Sequence, residues 1–226
     1  MKDIILSPSI MCGDLINLEK SINEIEQNGL NNLHIDVIDG SFSPSMPLGL
    51  DTIKALRKKT NLNFDVHIMS DNNEFFINEI INIGAESITF HLESSKHIDR
   101  YIKLIKESGS KVGVALNPST PLSSLEYVID QIDMVCLMLI NPGFATNKNE
   151  KQVTYANRKV SDLKKMIDER DLDVSIQVDG RVSMETIFNL VSSGADNLVL
   201  GSTSLFLKGH TLSENKNTIL GLLPNI

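Results

Sequence analysis

Three short β-type runs carry the residues best suited to chemistry: Leu33–Val37, Asn63–His67 and Ser175–Gly180. Successive side chains of a strand point to opposite faces, so His34 and Asp36 share one face while Ile35 and Val37 share the other. Imidazole and carboxylate groups held among apolar neighbours are costly to bury without partners. A divalent cation supplies the partner if His67 and Asp179 end neighbouring strands on the same rim as His34 and Asp36. Two His and two Asp form a mixed nitrogen and oxygen donor set. It suits one zinc, iron, cobalt or manganese ion better than calcium or magnesium.

The elements that must position these groups alternate along the whole chain. Strands are expected near 4–9, 33–38, 63–68, 87–91, 111–116, 133–139, 174–178 and 197–200. Helices are expected near 14–27, 50–59, 73–83, 97–108, 122–130, 152–170, 183–193 and 213–222. The strands are rich in Ile, Val and Leu, as in a parallel sheet buried on both faces. Gly29, Gly84, Gly109 and Gly194 each stand between a helical pattern and the next strand, where a left-handed residue ends the helix. Eight strand–helix units in 226 residues approach the (β/α)8 TIM barrel, typically roughly 250 residues long. A doubly wound open sheet is the competing architecture, but no Gly-rich fingerprint follows the first strand. Candidate functional residues follow several strands (Ser9, His34, Asp36, His67, Met138, Asp179, Gly201), and a barrel collects such positions on one rim. The expectation is one barrel domain over residues 1–226, with segment 145–157 as a long loop able to act as a lid.

A net charge of −8 and a pI near 5.1 argue against nucleic acid or an anionic membrane as partner. Two cysteines, Cys12 and Cys136, cannot build a disulfide framework. Cys136 reads as a buried structural thiol, and Cys12, just past a strand end, as a residue able to line a site. No long apolar run precedes Pro8, and none reaches the roughly 20 residues a membrane helix needs, so a soluble cytoplasmic protein is expected.

Two carboxylates beside one cation suggest proton transfer at a carbon next to a carbonyl, with the cation stabilising the enediolate. Asp36 and Asp179 come from the second and seventh strands and can approach a substrate from opposite sides. One takes a proton from one face and the other returns a proton to the opposite face, inverting that carbon. A phosphate grip is also readable after strands six to eight: Asn141–Phe144, Asp179–Arg181 and Gly201–Thr203. Backbone N–H groups at Gly143, Gly180 and Gly201 can approach an anion closely.

Several motifs stand in order along the chain: Ser7-Pro8-Ser9-Ile10, His34-Ile35-Asp36-Val37-Ile38-Asp39-Gly40, Phe64-Asp65-Val66-His67-Ile68-Met69, Leu116-Asn117-Pro118, Asn141-Pro142-Gly143-Phe144 and Val178-Asp179-Gly180. Together they closely resemble the ribulose-phosphate 3-epimerase family, which includes the allulose-6-phosphate 3-epimerases. The resemblance implies His34, Asp36, His67 and Asp179 as metal ligands, with Asp36 and Asp179 also the acid/base pair. It implies Ser9 as a substrate contact, and Met69 and Met138 match positions that flank the enediolate; the loops read above put Gly143, Phe144, Gly180, Arg181, Gly201 and Ser202 around the phosphate. It also implies a homo-oligomer and no organic cofactor. Departures fall mainly on the sugar and phosphate side. Ile38 stands where many members have Met, Ser41 where His is usual and Ser45 where Asn is usual. Ala145-Thr146-Asn147 replaces a Gly-Gly-Gln run, and Arg181 replaces a second Gly.

Ser7–Cys12 and Phe144–Ala145 look more like the allulose-6-phosphate branch. The favoured substrate is therefore D-allulose 6-phosphate, interconverted with D-fructose 6-phosphate, with D-ribulose 5-phosphate as the alternative. Arg181 is expected to grip phosphate through a charge-assisted pair, or else to be an exposed helix-start residue. Two rivals remain: a related barrel that decarboxylates or cleaves a sugar phosphate, and a non-catalytic sugar-phosphate-binding barrel. Asp65, two residues before His67, shares its inward face and suits a supporting role. His91 is either a lining residue or an ordinary hydrogen-bonded one.

Overall fold

In the computed structural model, residues 3–145, 147 and 149–224 are described. Eight parallel strands are found: β1 (Ile5–Pro8), β2 (Asn32–Ile38), β3 (Asn63–Met69), β4 (Ser87–His91), β5 (Lys111–Leu116), β6 (Met134–Met138), β7 (Ser175–Asp179) and β8 (Asn197–Leu200). Their order around the sheet is β1-β8-β7-β6-β5-β4-β3-β2. A parallel bridge between Ser9 and His34 joins the two ends and closes the cylinder. The result is the (β/α)8 TIM barrel expected from the alternation of elements.

Among the described residues the α-helices are α1 (Leu18–Gln27), α2 (Leu50–Arg57), α3 (Asn73–Ile83), α4 (Ile98–Glu107), α5 (Ala156–Glu169), α6 (Ile187–Ser192) and α7 (Leu212–Leu222). Four helical expectations need correction, among them the helix expected from residue 152, which starts at Ala156. The helix expected over 122–130 is two 3-10 turns, Leu122–Leu125 and Ile129–Gln131, because Val128 (φ −128°, ψ −15°) leaves the helical region between them. The first helix starts at Leu18 and not near residue 14. Asp14 accepts from Ile16 N and Asn17 Nδ2 and makes a local turn instead. The sixth starts at Ile187, since Ser183 and Thr186 bond each other's backbone and side chains in a preceding turn. The long loop runs to Tyr155, and its Thr146 and Lys148 lie outside the described residues.

The alternation of strand side chains sorts the interior into two chemistries. Outward positions such as Leu33, Ile35, Val66, Ile68, Val114, Leu137 and Val178 join the helices in one continuous apolar core. Fully burying each such aliphatic side chain is worth about 1.5–3 kcal/mol, so this shell dominates stability. Inward positions are mostly polar: Ser7, His34, Asp36, Asp65, His67, Thr89, His91, Gln177 and Asn197 are all buried inside the barrel. A small inner apolar group of Ala115, Cys136 and Met138 sits among them. Among the described residues, no helix is long and apolar enough to cross a membrane.

Candidate metal centre and active-site cleft

Strand register places the key groups side by side. In the β2–β3 pairing, His34 lies opposite Asp65 and Asp36 opposite His67; in β6–β7, Met138 lies opposite Asp179. One ligand atom from each of His34, Asp36, His67 and Asp179 falls within a sphere in which all lie within 4.8 Å of one another. His34 Nε2 is 3.4 Å from Asp36 Oδ1 and 3.9 Å from Asp179 Oδ2. His67 Nδ1 is 3.5 Å from each of the same two oxygens.

Both nitrogens that face this centre, His34 Nε2 and His67 Nδ1, are buried without a hydrogen-bond partner. Buried polar atoms are rarely left so. Two neutral imidazoles and two carboxylates carry a net charge of −2, so a divalent cation satisfies both the orphaned lone pairs and the charge. The donor set fits the metal that the sequence implies.

The protonation equilibria of the site agree. Burial pushes the His34 imidazole down, but the Asp36 and Asp65 carboxylates outweigh it and hold His34 well above its usual value. His67 follows the same pattern, with burial opposed by Asp179 and Asp36. Burial raises Asp36, yet His34 and His67 hold it below the carboxylate range. Without a cation the centre draws positive charge in the form of protons.

Each imidazole is also gripped from behind. His34 Nδ1 lies 2.9 Å from Asp65 Oδ2, which also accepts from Gln177 Nε2 at 2.5 Å. His67 Nε2 lies 3.0 Å from His91 Nε2, and His91 Nδ1 lies 3.1 Å from Glu93 Oε2. Such partners fix ring orientation and tautomer in metal sites. Asp65 has the supporting position its alternation suggested, and His91 is a hydrogen-bonded residue behind the centre. Sequence reasoning passed over Glu93 and Gln177. Gln177 could have been found by counting two back from Asp179 along β7.

A cleft opens over the centre at the carboxyl ends of the strands. Of the residues expected to bind substrate, Ser9, Met69, Met138, Gly143, Gly180, Arg181, Gly201 and Ser202 line it, together with Asp36 and Asp179. Cys12, Ile38 and Ser45 join them. Ser9 Oγ donates to Asp36 Oδ2 at 3.3 Å, which leaves Oδ1 to the centre. Burial raises the Cys12 thiol and keeps it protonated. Phe144 is the exception: it is 40% exposed and outside the lining, because the Asn141–Phe144 turn carries it away.

The loop side is shaped by backbone. Gly180 has φ +105°, and a Cβ there would come within 2.7 Å of Ile140. Arg181 also adopts a left-handed conformation, φ +55°, which costs a residue with a Cβ about 1–2 kcal/mol. That explains why a glycine suits this position. Arg181 Nη2 donates to Ala145 O at 2.9 Å and Asn147 O at 2.7 Å, tying the β6 loop to the β7 loop. Its Nε is buried without a partner. Arg181 is therefore neither a free surface residue nor a fully committed one.

A polar-lined barrel with a cation-ready centre and two convergent carboxylates under an open cleft is an arrangement that can move protons at a bound molecule. The chain belongs to the ribulose-phosphate 3-epimerase family, whose model matches residues 5–206. It is an epimerase of the isomerase class. The "Ribulose-5-phosphate-3-epimerase, chloroplastic" of Arabidopsis thaliana is 40% identical over 203 residues, 88% of this chain and 71% of that one. The "Ribulose-phosphate 3-epimerase" of Bacillus subtilis (strain 168) is 39% identical over 198 residues, 87% and 90% of the two chains. That of Escherichia coli (strain K12) is 36% identical over 203 residues, 89% of each. Among solved structures, 3-hexulose-6-phosphate synthase from Salmonella typhimurium superposes with a TM-score of 0.67 at 18% identity, over 97% of this chain and 98% of that one. That likeness shows the barrel alone.

Proposed function

We propose that this chain inverts C3 of D-ribulose 5-phosphate, interconverting it with D-xylulose 5-phosphate. The observation that carries the reading is the convergence of Asp36 and Asp179, from β2 and β7, on one centre beneath an open cleft. One carboxylate removes the C3 proton and the other delivers a proton to the opposite face, giving inversion with no redox change. His34, Asp36, His67 and Asp179 would hold one divalent ion, whose charge stabilises the negative charge developing on the substrate oxygens. Ser9 orients Asp36 through its hydrogen bond, and Met69 and Met138 wall the reacting carbon. The phosphate docks on the backbone of Gly143, Gly180, Gly201 and Ser202, where the unpaired Arg181 Nε offers a charged donor.

The six-carbon preference read from Ser7–Cys12 and Phe144–Ala145 yields here. Relatives named for ribulose phosphate share 36–40% identity over nearly nine-tenths of the chain, whereas those local likenesses span a few residues. The enzyme would be homo-oligomeric, as the family resemblance implies.

The test is incubation of the metal-loaded enzyme in deuterated water with ribulose 5-phosphate and, separately, allulose 6-phosphate, following C3–H by proton NMR. Faster exchange and epimer formation with the pentulose is expected. Faster turnover of the hexulose restores the six-carbon reading. Bound metal without exchange of either sugar withdraws the epimerase reading for these two sugars.

A further inference from the structure

His91 and Glu93 supply no ligand atom to the centre, yet hydrogen-bond logic ties them to it. For His67 to offer the Nδ1 lone pair to a cation, its proton must sit on Nε2. His67 Nε2 and His91 Nε2 are 3.0 Å apart, so one nitrogen carries the proton and the other must lack it. His91 therefore accepts at Nε2 and carries its own proton on Nδ1, which faces Glu93 Oε2 at 3.1 Å. The far oxygen, Glu93 Oε1, accepts from the backbone N–H of Asn117 at 2.7 Å and from the Thr120 hydroxyl. A backbone N–H can only donate, so that oxygen is fixed as an acceptor.

We infer that Glu93, acting through His91, is the positioning residue that makes His67 a metal ligand through Nδ1. Every proton in the chain is set by its anchored end: the Glu93 carboxylate accepts the hydrogen bond of His91 Nδ1–H, and His91 Nε2 in turn accepts that of His67 Nε2–H. His34 is fixed by a carboxylate directly, whereas His67 is fixed through a neutral ring. The inference rests on the metal centre of the proposed function and adds the device that prepares one of its ligands.

An unusual ordering of variants follows. In Glu93→Gln, Asn117 N–H keeps the amide oxygen on its side, which turns the NH2 group toward His91 Nδ1. That nitrogen must then accept, so His91 carries its proton on Nε2 and donates to His67. The His67 proton is displaced onto Nδ1, where it blocks the metal. Glu93→Ala imposes no donor and leaves His91 free to keep the productive tautomer. The isosteric change should therefore harm metal binding more than the truncation, the reverse of what a packing role predicts.

The experiment measures Zn2+ affinity of the full chain by competition with a chromophoric chelator. The expected loss is on the order of 10–100-fold for Glu93→Gln and smaller for Glu93→Ala. Equal affinity of wild type and Glu93→Gln, or a larger loss in Glu93→Ala, overturns the inference. Imidazole 15N NMR of the zinc-loaded wild type provides a readout independent of any variant. The proton is expected on Nε2 of His67 and on Nδ1 of His91, and a His91 proton on Nε2 overturns the inference. A wild-type chain that binds no zinc brings down the metal reading itself, and this inference with it. Zinc bound with an unaltered Glu93→Gln affinity removes the relay alone.

Discussion

The barrel mouth has two walls built by different means. The wall of β2, β3 and β4 presents side chains: His34, Asp36, Asp65, His67 and His91 are all buried, and every imidazole nitrogen facing away from the centre has a partner. The wall of β6, β7 and β8 adds the Asp179 carboxylate and otherwise presents mainly backbone: left-handed Gly143, Gly180 and Arg181 turn the chain over the cleft. The first wall is anchored by seven consecutive register pairs between β2 and β3, whereas β7 and β8 share two. Reactive groups need placement within fractions of an ångström, which paired strands supply. Recognition of a phosphate needs several N–H groups converging on one anion, which turns supply.

If the walls divide chemistry from recognition in this way, substitutions on them should fail differently. The largest effect is expected from Asp36→Asn on the side-chain wall. Loss of one acid/base group should lower kcat by on the order of 10³-fold, read as slowed epimer formation and slowed C3–H exchange in deuterated water. Retention of wild-type kcat would remove Asp36 from the proton transfer. Asp65→Ala comes next: it leaves the four proposed ligands in place but strips His34 Nδ1 of its acceptor. Zinc affinity should drop on the order of 10–100-fold, while kcat at saturating metal changes far less. On the opposite wall, Arg181→Ala should raise KM for the phosphorylated sugar roughly tenfold, the worth of one charge-assisted hydrogen bond of about 1.5 kcal/mol, with kcat nearly unchanged. An unaltered KM would leave Arg181 as a tie between two loops and nothing more.

The protons that gather on the side-chain wall give a sharper handle. His34 and His67 are both raised by the carboxylates around them, so a metal-free centre holds protons that a cation must displace. Zinc binding near neutral pH should therefore release protons, and affinity should fall as pH falls. Calorimetry in two buffers of different ionisation enthalpy measures the release. Binding heats that do not depend on the buffer would mean that the imidazoles are already neutral before the metal arrives.

The two walls were also unequally legible in the sequence. Alternation along a strand is a local rule, so His34 with Asp36, and Asp65 with His67, declared a shared face before any fold was known. Only their meeting with Asp179, more than a hundred residues on, needed the barrel. Glu93 stayed hidden because it lies beyond the end of β4, where alternation no longer applies, and because its partner Thr120 is 27 positions away. On the loop wall, motif order placed Gly143, Gly180 and Gly201 at the cleft but misplaced Phe144, since a turn can send adjacent residues in opposite directions. The strained backbone of Arg181 was legible only through the glycine that the resemblance has at its position, since nothing in its own neighbours announces a positive φ. The missing helix near residue 125 has a similar cause, a break at Val128 inside an apolar pattern that fits a helix equally well.

The smallest expected effect lies behind both walls. Lys159 of α5 is buried and donates to Asn117 O at 2.8 Å and Pro118 O at 2.9 Å, holding the same loop whose Asn117 N–H fixes Glu93. Burial pushes its ammonium down to about 8. Between that value and the 10.5 of an exposed lysine, the unfolded chain binds a proton that the folded chain does not. Stability then rises with pH across this window, and the contribution fades as pH falls through about 8. In Lys159→Met that slope should disappear. Urea unfolding midpoints for both proteins at several pH values from neutral to alkaline would show it, the wild type gaining on the variant as the pH climbs. Parallel curves would mean that the two carbonyls fully replace water around a charged Lys159. The loop that anchors Glu93 would then rest on an ion held at no cost, and the side-chain wall would be stiffer still than the backbone wall opposite.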